Sequence, residues 1–107
     1  MRIVEGLEFK DINEISVYVK TLIQSYPLNA VLLPEHFMFM NKLFTQHPLY
    51  KTKSAGGVLG MIVRKDAPSI KVNRERRLQI QRSDNVPTYF YPSECYENLF
   101  KFTQLFS

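Results

Sequence analysis

Few residues in this chain could do covalent or acid–base chemistry. There is one cysteine, Cys95, and there are two histidines, His36 and His47. A thiol nucleophile needs a base within hydrogen-bond reach, so Cys95 with either histidine is the one pairing to consider. No flanking signature supports it. Cys95 falls at helical spacing with Leu99, Phe102 and Phe106, which is the place of a small buried apolar residue. A divalent metal ion would need clustered carboxylates or imidazoles, whereas Asp66, Glu75 and Asp84 are scattered among arginines that pair with them more simply. His47, just before Pro48, reads as a helix-end residue whose imidazolium meets the negative end of the dipole. The expectation is a non-enzymatic protein with no cofactor and no metal.

The chemistry that the residues do favour is electrostatic. The stretch from Lys71 to Arg82, KVNRERRLQIQR, holds five cations and one acid in twelve residues, although the net charge of the whole chain is only +4. Residues 1–41 carry three cations (Arg2, Lys10, Lys20) against five acids, and residues 83–107 carry Lys101 against three acids. Between them, residues 42–82 carry ten cations against Asp66 and Glu75. A positive block between two mildly acidic ones steers polyanions toward one surface. Phosphate-binding patterns of the GxxxxGK[ST] or GxGxxG kind are absent from the sequence. Gly57-Val58-Leu59-Gly60 has the spelling of the GXXG loop of KH domains, but that loop joins two helices and this one runs into a strand.

Those cations must be positioned by a small fold. A chain of 107 residues, 45% hydrophobic and 22% charged, has the length and composition of one globular domain spanning residues 1–107. The longest apolar runs, AVLL at 30–33 and GGVLGMIV at 56–63, are far shorter than the ~20 residues a membrane span requires. The first residues alternate apolar with polar and acidic ones, unlike a secretory signal, and predict a cytoplasmic protein, or a nuclear or organellar one targeted by a segment outside this sequence. They also predict a short strand at RIVEGLEF. Asp11 and Glu14 have capping-box spacing, and Ile12, Ile15, Val19, Leu22, Ile23 and Tyr26 continue a helical stripe up to Pro27. A second helix opens at Pro34 with Glu35 in its first turn, its stripe being Phe37, Met40, Phe44 and His47 with Leu43 beside it.

After Pro48 the period changes. VLGMIV suits a central strand. A period of two puts Leu78 and Ile80 on one face of the next strand and Arg77, Gln79 and Gln81 on the other. Ser83-Asp84-Asn85 is turn chemistry, so residues 76–91 read as a hairpin, and Ser93 caps a last helix. The predicted architecture is α+β: a small antiparallel sheet of about three strands, covered on one face by two to three helices.

The order of these features resembles the DCL-like domain family, named for a plant "defective chloroplasts and leaves" protein. The likeness runs over about residues 6–98. It is carried by Gly6 to Phe9, the helix ending at Tyr26, Phe39 to Leu43 leading to His47-Pro48, and Lys53 with the glycines after it. The second half adds Arg76-Arg77-Leu78-Gln79-Ile80, Arg82-Ser83-Asp84-Asn85, Tyr89-Phe90-Tyr91 and Cys95. Asn85 stands where the family has a turn glycine, a place a residue tolerant of left-handed backbone can fill, and Tyr91 stands where a serine is usual. The resemblance implies a domain tied to RNA metabolism, in ribosomal RNA maturation or at the C-terminus of a silencing RNA polymerase subunit, and it implies no catalytic residues.

Charge and resemblance together predict a nucleic-acid-binding module, for RNA in preference to DNA, with Lys51, Lys53, Arg64, Lys65, Lys71, Arg74, Arg76, Arg77 and Arg82 contacting phosphates. Tyr50, Tyr89 and Tyr91 are candidates to stack bases. The alternative is a small accessory or phage-encoded factor that docks the same basic face on an acidic surface of a protein partner in RNA processing or transcription.

Overall fold

The computed structural model describes residues 2–65 and 76–106, with side chains as far as Lys101. It opens on a hairpin of two three-residue strands, β1 (Arg2–Val4) and β2 (Leu7–Phe9). Val4 pairs with Leu7, so the turn is Glu5-Gly6 alone, and both residues take positive φ, 48° and 81°. That is the backbone twist a two-residue hairpin prefers, and glycine at the second position relieves half of its cost. The single short strand expected here is therefore two.

Helix α1 (Ile12–Gln24) starts where the capping box placed it. The Asp11 side chain accepts from the Glu14 N–H at 2.9 Å, and Glu14 Oε1 in turn accepts from the Lys10 N–H at 3.3 Å. Its buried stripe is Ile15, Val19 and Ile23, while Ile12 lies outside it and is exposed. Helix α2 (Pro34–Phe44) has Pro34 at its first turn, where the missing N–H costs nothing. It buries Phe39, Met40, Leu43 and Phe44 and ends before His47, which belongs to the following turn. A single helical turn, α3 (Tyr50–Lys53), precedes Gly56 and Gly57, both at φ 85°.

Three antiparallel strands follow in the order β3 (Val58–Arg64), β4 (Arg77–Arg82) and β5 (Thr88–Phe90), and α4 (Ser93–Phe106) closes the chain. The register sets Val63, Leu78 and Phe90 in one cross-strand row and Met61, Ile80 and Thr88 in the next, all of them buried. The other parity, Ile62, Gln79 and Tyr89, faces away and is half-buried. The first face meets the buried sides of α1, α2 and α4 in one hydrophobic cluster that includes Ile15, Val19, Met40, Phe44, Cys95 and Leu99. Phe44 and Phe90 join helix to sheet with ring centroids 4.5 Å apart. The α+β architecture, with a three-stranded antiparallel sheet covered by helices on one face, is as the periodicity predicts. On the far side of β3, residues 29–32 run alongside it. Asn29 N–H donates to the Val63 carbonyl at 2.7 Å, Val63 N–H to Ala30 at 2.9 Å, and Leu32 N–H to Met61 at 2.9 Å. No helix among the described residues is long and apolar enough to cross a membrane.

Candidate nucleic-acid interface

Strand parity decides where the cations of β4 go. Arg77 shares a face with Gln79 and Gln81, away from the helices, whereas Arg76 and Arg82 share the parity of Leu78 and Ile80 and turn toward the core side. The Arg76 guanidinium donates to the carbonyls of Tyr26, at 2.7 Å, and Ile23, at 3.3 Å, and so closes the C-terminal end of α1. A cation there adds a charged donor to carbonyls at the negative end of the helix dipole, one of which, that of Ile23, also accepts the Tyr26 N–H at 3.1 Å. Arg82 forks onto Asp84 through Nε at 3.0 Å and Nη2 at 2.5 Å, and its Nη1 reaches Thr88 Oγ1 at 3.1 Å. This guanidinium holds the Asp84 carboxyl below the usual aspartate range, helped by the Val86 N–H that Asp84 also accepts.

The remaining predicted cations divide in the same way. Lys53 Nζ donates to the Tyr89 carbonyl at 2.6 Å, tying α3 to the outer strand. Lys51, on the same helical turn, and Lys65, at the end of β3, are exposed. Lys71 and Arg74 lie outside the described residues. The expected continuous strip of phosphate contacts along Lys51 to Arg82 is therefore divided, because Lys53, Arg76 and Arg82 are committed to the protein's own carbonyls and carboxylate.

What the fold does bring together is a smaller patch on the outward face. Arg64 and Arg77 are directly opposed in the β3–β4 register. Arg64 Nη1 donates to Asn29 Oδ1 at 2.5 Å, and Arg77 Nε to the Lys65 carbonyl at 3.2 Å. The Arg77 guanidinium lies 4.0 Å from the Tyr89 ring centroid on the neighbouring strand. Among the described residues the ion pairs are His36–Glu35, His47–Glu94 and Arg82–Asp84, so neither Arg64 nor Arg77 faces a carboxylate there. Like charges directly opposite on one face of a sheet are destabilising, and among the described residues the partners of these two are neutral carbonyl, amide and ring groups. Gln79 and Gln81 continue the face, and Gly60 makes room for the second of them: a Cβ at Gly60 would sit 2.5 Å from Gln81 Oε1. Of the candidate stacking rings, Tyr89 is on this face, while Tyr50 packs edge-on against Phe44 at 5.1 Å.

The groups weighed for catalysis are placed elsewhere. Cys95 is fully buried in the core. His47 is buried too, and its surroundings correct the expectation of an imidazolium at a helix end. Its Nδ1 accepts the Leu49 N–H at 2.9 Å, which puts the proton of the neutral ring on Nε2. Nε2 lies 3.2 Å from Glu94 Oε1 but is poorly aligned for a hydrogen bond, and that oxygen already accepts the Tyr91 N–H at 2.7 Å. His36 Nδ1 is tied to the Tyr26 hydroxyl, which accepts the Leu33 N–H at 3.0 Å. The Gly57–Gly60 stretch enters β3 through an irregularity between Val58 and Gly60 and is no helix–helix loop.

A helix-backed three-stranded sheet, with Arg64 and Arg77 opposed on its outward face, defines this as a small α+β domain. No family model and no curated protein matches the chain. Among solved structures it is similar to the solution NMR structure of an uncharacterized protein from Rhodospirillum rubrum, at TM-score 0.74 and 19% sequence identity, covering 87% of this chain and 85% of that one. At that identity the likeness establishes the fold alone.

Proposed function

We propose that this chain is a non-catalytic nucleic-acid-binding module, serving RNA in preference to DNA, that uses the outward face of its three-stranded sheet. The single observation that carries this reading is the opposed pair Arg64 and Arg77, retained on one face with no carboxylate beside either among the described residues. Such a pair costs stability in the free protein, and a phosphate chain lying across it removes that cost. The resemblance to the DCL-like family supports the preference for RNA and a place in RNA processing or transcription, and the N-terminal residues, unlike a secretory signal, support a cytoplasmic location.

The test is the salt dependence of binding to a mixed RNA pool, followed by mobility shift. Engagement of two phosphates by Arg64 and Arg77 predicts a log–log slope of about −1.4 on single strands. Retention on heparin with no shift of the RNA pool would instead assign the basic face to an acidic protein partner.

A further inference from the structure

Resting on that reading, we infer that the ligand is an unpaired strand, and that one of its bases stacks on the Arg77–Tyr89 unit while the amides of Gln79 and Gln81 meet base edges. The patch is too small for a duplex groove. It is three strands wide, and strands lie about 4.8 Å apart, so its width is close to 10 Å. An unpaired base needs an aromatic or guanidinium plane to lie on, and a strand of phosphates beside it. The face supplies both within one register step. The Arg77 guanidinium is held over the Tyr89 ring at 4.0 Å, and Arg64 stands directly across from Arg77.

The neighbouring polar groups are suited to bases rather than to phosphate. Gln79 is directly paired with Tyr89 and is flanked on its other side by Ile62. Gln81 lies two residues on, over the backbone of Gly60. A side-chain amide offers donors and an acceptor together, which matches the mixed edges of a base, whereas phosphate oxygens only accept. Charge attracts the strand, and the Arg77–Tyr89 plane together with two amides selects strands whose bases are turned outward.

The experiment uses fluorescence anisotropy with three 12-unit probes of equal length and label at one salt concentration: an unstructured mixed-sequence RNA, the same chain with abasic sites, and an RNA duplex. The intact protein is compared with Arg77→Lys, which keeps the charge and loses the stacking plane; its melting temperature is recorded alongside. The expected result is binding of the single strand, about tenfold weaker binding of the abasic chain, weaker binding still of the duplex, and a loss in Arg77→Lys confined to the base-bearing single strand. Equal binding of all three probes, unchanged in Arg77→Lys, overturns the inference and leaves the broader nucleic-acid reading standing. Binding of none of them at low salt overturns both. The abasic comparison needs no variant, so it decides the matter even if Arg77→Lys folds poorly.

Discussion

Arg77 and Tyr89 are diagonal neighbours on adjacent strands, and the guanidinium plane covers the ring at 4.0 Å. The contact fixes a cation in place without neutralising it. It thereby separates Arg77 from Arg82, five positions down the same block of charge, whose guanidinium is forked onto Asp84.

Charge reversal should therefore have different effects on the two parities of β4. Arg64→Glu with Arg77→Glu is expected to weaken RNA binding by about tenfold or more and to leave a folded domain, since both side chains are on the half-exposed outer face. Anisotropy titration alongside circular dichroism melting checks both halves. RNA affinity unchanged at low salt would remove this face as the binding surface.

Arg76→Ala should do the reverse. It leaves the Ile23 and Tyr26 carbonyls at the end of α1 without their charged donor, at a cost of about 1–2 kcal/mol. Urea unfolding should show the loss with RNA affinity unaltered. A drop in affinity with full stability would place Arg76 in the interface instead.

Leu78 is fully buried between Val63 and Phe90 in the sheet's inner row. Leu78→Ala is expected to cost about 2–4 kcal/mol through lost burial and the cavity left behind, and Leu78→Asp to abolish the cooperative unfolding transition altogether. A normal melt for Leu78→Asp would mean that the register described for β4 is wrong.

The Asp84 carboxyl is held below its usual range chiefly by the Arg82 guanidinium. The ionised form is thus the one the fold favours, so the contribution is fully present above the ordinary aspartate value near 4 and is lost as the pH falls through the depressed one. Asp84→Asn should narrow the difference in melting temperature between pH 7 and pH 2.5. Because Asp84 is exposed, the change is expected to be small, and an unaltered acid limb would show that the fork contributes nothing measurable.

Much of this structure is legible from local rules. Asp11 and Glu14 announce α1, Pro34 opens α2, and the alternation around Leu78 and Ile80 fixes both faces of β4. Asn85 takes the left-handed backbone, at φ 61°, that the turn after β4 requires. Counting charge without regard to parity hid the division of the arginines, although the alternation that buries Leu78 already turns Arg76 and Arg82 the same way. The Glu5-Gly6 turn carries a hairpin signal of its own, but three-residue strands are too short for periodicity to show. Lys53 on Tyr89, and residues 29–32 beside β3, join segments 29 to 36 positions apart, and no local pattern reports such contacts.

The two margins of the main sheet differ in how they end, yet neither offers a template to another chain. Residues 29–32 cover the Met61–Val63 part of the outer margin of β3. β5 is only three residues long, lies between Pro87 and Pro92, and has its middle carbonyl taken by Lys53. An aromatic-rich protein built this way is protected against edge-to-edge pairing of its main sheet with copies of itself, the first step toward fibrils.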